Sequence, residues 1–339
     1  MKIVFCGGGT AGHVTPNFAL MEKLLGHEMY YIGTNGMEKS LTRQYVRNGT
    51  LVDFREITAG KLKRKLALSN LLLPFTLAKS VKQAKKHLQD IAPDVVFSKG
   101  GFVGLPVVIA SKQLKIPTIV HESDMSLGLA NKFSSWYATK LLTTFPCAKK
   151  GQNVGAIVRP SILQGNSQKG LLTMDFDGKK PILLVMGGSL GAGALNDAIC
   201  NNAQLADKFD IFVITGKGKK IDCNFVHQAE FVDNIADVFS AVDICLTRAG
   251  SNSLVELTLA NVPFVAVPLT KGSRGEQVKN AKWFADKGCG VYLEESKLTN
   301  LATTLLTLHN NRNAIIAKQK RCAYLNGTDK VVEEILKYK

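Results

Sequence analysis

The chain has 339 residues, 45% of them hydrophobic and 7% aromatic, and a formal net charge of +16. Its length allows two domains of ordinary size, no apolar run approaches the roughly 18–20 residues of a membrane span, and its seven scattered cysteines form no C-x-x-C pair that would indicate zinc or disulfides. The charge predicts an anionic partner. Because no nucleic-acid-binding motif accompanies the charge, an anionic membrane surface is favoured over nucleic acid.

The first sixteen residues predict a strand, a glycine-rich turn and a helix. Lys2–Cys6 is typical of a buried parallel strand and is too short for a signal peptide, so we expect a cytoplasmic protein. The turn Gly7–Pro16 lets a ligand approach the backbone, and the helix after it offers N–H groups to a phosphate. The second strand ends in Gly33-Thr34-Asn35 without the acid that an NAD site needs, so a dehydrogenase is disfavoured. His13 could take a proton from a substrate hydroxyl, the alternative being a surface or capping histidine.

The rest of the first half alternates strands with helical patterns, which indicates an open parallel sheet. Further strands are predicted at 28–32, 53–57, 94–97, 117–120, 140–143 and 153–157.

A basic and apolar segment interrupts this alternation. No acidic residue occurs from Ile57 to Gln89, and the leucines after residue 65 exceed what one helix face needs to meet a core. Such a segment favours binding in the interface of an anionic bilayer, and the alternative is a core helix with a solvated basic rim. The predicted membrane residues are Lys61, Lys63, Arg64, Lys65, Leu71, Leu72, Leu73 and Phe75.

The second half repeats the strand and helix pattern after a polar stretch that begins at Arg159. Its strands are predicted at 182–186, 210–214, 224–230, 242–246 and 262–268. We therefore predict an α/β protein with two doubly wound Rossmann-like domains that face each other across a cleft, where the carboxyl ends of the strands hold the ligand. The D-x-D at 175–177 lies at the opposite end of its sheet, so no metal site is predicted.

Several polar residues after these strands fit a nucleotide-sugar. Gly188-Ser189 before a helix offers N–H donors and a hydroxyl to a diphosphate, and Arg159 could stabilise the leaving diphosphate without a metal. Glu256 is placed to accept hydrogen bonds from ribose hydroxyls. Gln277 and Asn280 lie three apart on one helix face and could bind sugar hydroxyls. Each residue alone has a simpler interpretation as a cap, a surface pair or a polar turn residue.

Motifs along nearly the whole chain carry a resemblance to one family. They are 7–16, 98–104, 121–122 with 128–132, 187–196, 215–218, and 248–256 with 277–281. These stretches resemble the MurG family of peptidoglycan glycosyltransferases. The resemblance implies a two-domain GT-B fold and an inverting, metal-independent transfer of N-acetylglucosamine from UDP-N-acetylglucosamine to the muramic acid 4-hydroxyl of lipid I, which gives lipid II. It also implies a peripheral enzyme on the cytoplasmic face of the cell membrane, with no cofactor, in a cell-wall or division complex.

The resemblance also implies roles for individual residues. His13 is the favoured candidate base, and because Ser123-Asp124 replaces an amide pair common in the family, Asp124 becomes a second candidate. The uracil is expected near Phe231 and Val232. The full expected donor site is Thr10, Ala11, Gly12, Arg159, Gly188, Ser189, Phe231, Val232, Ser251, Glu256, Gln277 and Asn280.

The expected domains are 1–158 for the acceptor and the membrane, 159–320 for the UDP-sugar, and a C-terminal helix in 321–339 that packs back on the first domain. Three alternatives stay open at this point. They are a GT-B enzyme acting on another lipid such as diacylglycerol, a UDP-sugar epimerase of the same fold, and a non-enzymatic membrane or nucleic-acid adaptor.

Overall fold

The computed structural model describes residues 1–60, 73–146, 151–187, 193–270 and 275–339. Within them the chain divides into two units, which we call unit 1 (Met1–Arg159 with Asn326–Lys339) and unit 2 (Pro160–Leu325). Each unit contains one parallel β-sheet with helices, so the predicted α/β class with two parallel-sheet halves is confirmed. None of the helices described in these ranges is long and apolar enough to cross a membrane.

The sheet of unit 1 reverses its strand order between its first and fourth strands. The strands described are β1 (Lys2–Cys6), β2 (Glu28–Gly33), β3 (Asp53–Glu56), β4 (Val95–Ser98), β5 (Thr118–Glu122), β6 (Lys140–Thr143) and β7 (Gln152–Asn153). The helices that follow them are α1 (Thr15–Lys23), α2 (Met37–Arg47), α3 (Leu73–Ile91), α4 (Gly101–Gln113) and α5 (Leu129–Tyr137). All neighbours in the order β3-β2-β1-β4-β5-β6-β7 are parallel. In such sheets ligands bind beyond the carboxyl ends of the strands at the reversal, here beside β1 and β4.

Strand β1 is apolar without alternation because both of its faces are buried. Ile3 and Phe5 belong to a core on one face of the sheet, and Val4 and Cys6 belong to a second core on the other face. All four side chains are fully buried. A strand covered by helices on both sides needs apolar residues at every position, which is why the sequence shows a continuous run there.

Unit 2 repeats the architecture. Its described strands are β8 (Ile182–Met186), β9 (Asp210–Ile214), β10 (His227–Ala229), β11 (Ile244–Thr247), β12 (Phe264–Ala266) and β13 (Val291–Tyr292). Its helices are α6 (Ser167–Met174), α7 (Gly193–Cys200), α8 (Ile235–Ala241), α9 (Ser251–Leu259), α10 (Glu276–Asp286), α11 (Leu301–Asn310) and α12 (Arg312–Lys320). The order β10-β9-β8-β11-β12-β13 is parallel throughout and reverses between β8 and β11.

The last helix, α13 (Thr328–Leu336), belongs to unit 1, which the chain re-enters at Asn326. Its Val331 and Ile335 are fully buried in the core that also contains residues of α1. Next to them, the buried Glu334 carboxylate forms an ion pair with Lys140 of β6. The helix therefore completes the core of unit 1 although it lies at the far end of the sequence.

This return of the chain explains why the strand predicted at 153–157 is wrong. Strand β7 ends at Asn153, and the apolar residues after it pack against the returning segment instead of extending the sheet. Ala156 pairs with Asn326 in an isolated bridge, and the Val158 N–H donates to the Thr328 hydroxyl at 2.9 Å. Strand β10 is also shorter than predicted, and the two-residue strand β13 was not predicted at all.

Candidate functional site

The glycine-rich turn after β1 needs its glycines for conformation and for space. Gly7 and Gly9 have positive φ angles of 147° and 85°, which are unfavourable for other residues. A Cβ at Gly9 would lie 2.4 Å from the ring of Phe102, and one at Gly7 would lie 2.5 Å from the His13 carbonyl oxygen. The turn is therefore closely packed, and it leads through a short 3-10 turn at Ala11–His13 into helix α1.

His13, the favoured candidate base, lies half-buried at the end of this turn. Its Nδ1 is 2.9 Å from the hydroxyl of Thr10, which orients the imidazole ring. Thr10 and Gly12 are exposed, and Ala11 is half-buried. These four residues therefore form a continuous surface at the carboxyl end of β1, where a ligand of a doubly wound sheet is expected.

The turn after β4 packs directly against the turn after β1. A Cβ at Gly101 would lie 2.4 Å from the carbonyl oxygen of Gly8, so the two backbones touch. A Cβ at Gly100 would lie 2.3 Å from the Asn131 side-chain oxygen on α5. The carboxyl ends of β1, β4 and β5 are thus joined into one surface of unit 1.

The buried carboxylate of Glu38 packs against the glycine turn after β1, and Glu38 was not predicted as a site residue from the sequence. It is 1% exposed, and a Cβ at Gly8 would lie 2.7 Å from its carboxyl carbon. Its carboxylate accepts hydrogen bonds from the Thr34 N–H at 2.9 Å, from the Thr34 hydroxyl and from the Gly9 N–H at 3.4 Å. The only sequence signal was an acid in the first turn of the helix that follows the second strand.

A buried lysine lies beneath the turn after β4. Lys99 is 1% exposed, and its Nζ contacts His121 Nδ1 at 2.9 Å and the hydroxyl of Ser123. Burial lowers the pKa of Lys99 to about 8, and the nearby carboxylates of Glu122 and Asp124 oppose that shift. Burial and the Lys99 charge also place the pKa of His121 well below its ordinary value, so the imidazole is neutral.

Glu122 holds the loop that carries the second candidate base. One of its oxygens accepts from the Asp124 N–H at 3.0 Å, and the other accepts from the Gly128 N–H at 2.8 Å and from Asn131 Nδ2 at 3.0 Å. Asp124 is half-buried. Both candidate bases thus lie at the carboxyl edge of the sheet of unit 1, His13 after β1 and Asp124 after β5.

In unit 2 the predicted diphosphate residues Gly188 and Ser189 lie outside the described residues. Of the predicted uracil residues, Phe231 is 75% exposed and Val232 is buried. Both follow β10, and the preceding Glu230 accepts from the Gly218 N–H at 2.9 Å. An exposed aromatic ring beside a glycine turn is a suitable surface on which a base can stack.

The other donor candidates of unit 2 follow β11 and β12. Ser251 is the first residue of α9 and is buried, while Glu256 is half-buried in the second turn of that helix. Gln277 accepts from the Leu269 N–H at 3.0 Å. Asn280 is fully buried, and its Nδ2 donates to the Ala249 carbonyl oxygen at 3.2 Å. Asn280 therefore ties α10 to the turn before α9, and its Nδ2 already has a backbone partner.

The remaining predicted residues divide between described and undescribed parts of the chain. Arg159 is half-buried and is the last residue of the first segment of unit 1. In α3, Leu73 is half-buried and Phe75 is 75% exposed. The other predicted membrane residues, Lys61, Lys63, Arg64, Lys65, Leu71 and Leu72, lie outside the described residues. Within the described ranges no three His, Cys, Asp or Glu side chains are grouped to hold a metal ion.

Comparison with known proteins covers both halves of the chain. Residues 3–143 match the glycosyltransferase family 28 N-terminal domain, and residues 182–335 match the glycosyltransferase family 28 C-terminal domain. A relative from Clostridium botulinum (strain Alaska E43 / Type E3) is 41% identical over 355 aligned positions, which cover 99% of this chain and 98% of the relative. It is named UDP-N-acetylglucosamine–N-acetylmuramyl-(pentapeptide) pyrophosphoryl-undecaprenol N-acetylglucosamine transferase. A relative of the same name from Staphylococcus epidermidis is 40% identical, with 94% of this chain and 93% of the relative covered.

Two solved structures have a similar fold. The crystal structure of Acinetobacter baumannii MurG is 25% identical in sequence, with a TM-score of 0.77 and 99% of both chains covered. The UDP-GlcNAc 2-epimerase from Neisseria meningitidis, solved with UDP-GlcNAc bound, is 13% identical with a TM-score of 0.67 and covers 99% of this chain and 100% of its own. The second likeness shows the fold alone.

Proposed function

Since the chain belongs to glycosyltransferase family 28, we propose that it transfers N-acetylglucosamine from UDP-N-acetylglucosamine to the muramic acid 4-hydroxyl of lipid I, the undecaprenyl-diphosphate-linked muramoyl-pentapeptide. The products are lipid II and UDP, and the reaction belongs to peptidoglycan biosynthesis. The observation that carries this proposal is the 41% identity, over 99% of the chain, to a relative named for that transfer.

The chemistry of this transfer requires a base on the acceptor side. The 4-hydroxyl gives its proton to the base as its oxygen attacks C1 of the donor sugar, and the bond between C1 and the UDP oxygen breaks on the opposite face, which inverts C1. We assign the base to His13, whose ring is oriented by Thr10, with Asp124 as the second candidate. Unit 1 is therefore the proposed acceptor unit.

The donor side must bind UDP and stabilise the charge that develops on it. We assign uracil stacking to Phe231 and ribose binding to Glu256, and both side chains are accessible in unit 2. Arg159 and the sequence Gly188-Ser189 are proposed to stabilise the leaving diphosphate, without a metal. Gln277 is a proposed sugar contact, while Ser251 and Asn280 are proposed to support the α9 turn from buried positions.

The lipid acceptor requires the protein to work at a membrane. We propose peripheral binding to the cytoplasmic face of the cell membrane through the basic and apolar segment that ends in α3. The net charge of +16 and the exposed ring of Phe75 support this proposal. A place in a cell-wall or division complex remains a prediction from the resemblance.

The test is transfer of labelled sugar from UDP-N-acetylglucosamine to a short-chain lipid I analogue in the presence of a chelator. We expect a β-1,4-linked disaccharide product. We expect His13→Ala to lower kcat by about 10²–10⁴-fold, because a general base contributes on that order, while the Kd for UDP-N-acetylglucosamine stays unchanged. The matched control is His27→Ala, in the same unit but at the opposite end of the sheet, and it should behave as the wild type.

Other outcomes point to other functions. If the wild type binds UDP tightly but does not glycosylate the lipid I analogue, the acceptor is a different lipid such as diacylglycerol. Conversion of UDP-N-acetylglucosamine without any acceptor would indicate an epimerase. Unchanged turnover of His13→Ala would remove His13 as the base and leave Asp124 to be tested in the same way.

A further inference from the structure

Lys99 has an environment that lysine seldom has. Lysine is almost never fully buried unless it is paired, and Lys99 is 1% exposed with an imidazole and a hydroxyl as its hydrogen-bond partners. Both partners come from β5 or the residue directly after it. The proposed transfer does not use this lysine, although it lies beneath the surface to which the candidate base belongs.

For each hydrogen bond around Lys99, the chemistry of the two groups determines which one donates and which one accepts. His121 Nε2 is 3.0 Å from the Gly155 carbonyl oxygen, which can only accept, so Nε2 carries the ring proton. His121 Nδ1 is then an acceptor for the Lys99 ammonium, which has no lone pair to offer. The same ammonium donates to the Ser123 oxygen, and the Ser123 hydroxyl proton must therefore point away from Lys99.

This direction matters because Ser123 is half-buried and lies beside Asp124, one of the two candidate bases. Lys99 itself lies close to the glycine turn after β1. A Cβ at Gly7 would lie 3.2 Å from Lys99 Cβ and 2.5 Å from the His13 carbonyl oxygen. The outward hydroxyl of Ser123 is thus presented at the same sheet edge as His13.

We infer that Lys99 is a positioning residue for the acceptor, because its ammonium orients Ser123 so that the serine hydroxyl donates a hydrogen bond to an oxygen of the acceptor substrate. This inference rests on the proposed function, since it assumes that the acceptor binds at the carboxyl edge of the sheet of unit 1.

The arrangement depends on the charge of Lys99. A neutral amine has a lone pair, so it can accept the Ser123 proton and turn the hydroxyl inward. The titratable groups that act on the lysine are His121, Glu122 and Asp124 on the β5 side, while α5 contributes the uncharged Asn131. Because burial brings the pKa of Lys99 to about 8, against the opposing carboxylates, the orienting charge is present at neutral pH and is lost in mildly alkaline solution.

The experiment measures the KM for the lipid I analogue and the KM for UDP-N-acetylglucosamine from pH 6.5 to pH 9.5. In the wild type we expect the acceptor KM to rise as the pH passes through about 8, with the donor KM unchanged. Ser123→Ala should raise the acceptor KM about tenfold at pH 7, the loss expected for one hydrogen bond, and should remove the pH step. Ser123→Thr keeps a hydroxyl and should retain most of the wild-type behaviour.

Lys99→Met should match Ser123→Ala, and the double variant should be no worse than either, because both substitutions break the same contact. The matched control is Lys132→Met, an exposed lysine on α5 of the same unit, which should keep the pH step. If Lys99→Met does not fold, the two Ser123 variants decide. A wild-type acceptor KM and an intact pH step in Ser123→Ala would overturn the inference. Failure of the proposed function would instead be visible as absence of transfer in the wild type.

Discussion

Replacing Glu38 by Gln tests whether a buried carboxylate holds the first glycine turn in place. The carboxylate lies under Gly8 and accepts from the N–H and the hydroxyl of Thr34 and, at 3.4 Å, from the Gly9 N–H. Glutamine has the same shape, and its oxygen can still accept from Thr34. Its amide nitrogen, however, then faces the Gly9 N–H, which puts a donor against a donor.

The expected cost follows from the strength of these bonds. A hydrogen bond to a charged group contributes roughly 1.5–3 kcal/mol, and one to a neutral group contributes roughly 0.5–1.5 kcal/mol. Two Thr34 bonds that change from charged to neutral lose about 1 kcal/mol each, so we expect Glu38→Gln to destabilise unit 1 by about 2 kcal/mol. Glu38→Ala removes every acceptor and leaves a cavity, so its cost should be larger, about 3–5 kcal/mol.

The assay is native-state hydrogen exchange of the Thr34 amide together with urea unfolding, because a chain with two units need not unfold in one step. The Thr34 amide should exchange about 30-fold faster in Glu38→Gln than in the wild type if local opening follows the lost 2 kcal/mol. The matched control is Glu28→Gln, whose exposed carboxylate accepts from the Tyr30 hydroxyl at 3.2 Å. If the Thr34 amide of Glu38→Gln exchanged at the wild-type rate, the proposed role of Glu38 in holding the glycine turn would be refuted.

Two further predictions concern unit 2 and the last helix. Phe231→Ala should weaken UDP binding by about 5- to 150-fold in calorimetry, because aromatic stacking on a base contributes about 1–3 kcal/mol, while Leu172→Ala, at a residue 80% exposed in the same unit, should have no effect. Ile335→Ala should lower the free energy of unfolding of unit 1 by about 2–5 kcal/mol in urea, because its side chain is fully buried in the core, and the exposed Glu333→Ala should change it little.

The apolar strands could be predicted from the sequence, because burial on both faces requires runs such as Lys2–Cys6 and Ile182–Met186, each with the predicted bounds. The sequence gives no comparable signal where burial comes from a distant segment. The apolar residues after Asn153 were predicted to continue a strand, yet Asn326 and Thr328 bury them from the far end of the chain. Local periodicity cannot report which remote segment will cover an apolar run.

The supporting polar residues of the site were missed for a related reason. Glu38 and Lys99 have charged side chains, which an analysis of sequence patterns assigns to the surface, and only the packing of the glycine turns shows that they are buried. A usable signal for Lys99 was its position between an apolar strand and two consecutive glycines, with a histidine at the end of the next strand. That combination places a cation where two strand ends meet in a doubly wound sheet.

The effect of pH on Lys99 separates a positioning role from a stabilising one. Its pKa falls from 10.5 in a model peptide to about 8 in the folded protein, mainly through burial, so the charge destabilises the folded state by roughly 3 kcal/mol. Below about pH 8 the lysine is protonated in both the folded and the unfolded state, so this cost applies in full. As the pH rises towards 10.5 the folded state loses the proton first, and the cost disappears. The difference in unfolding free energy between the wild type and Lys99→Met should therefore shift in favour of the wild type over that range. Acceptor binding by the wild type should instead weaken as the pH passes through about 8, where the lysine of the folded protein loses its proton. If the unfolding free energy and the acceptor binding of the wild type instead both fell as the pH rose, the lysine would act by stabilising unit 1 and not by orienting Ser123.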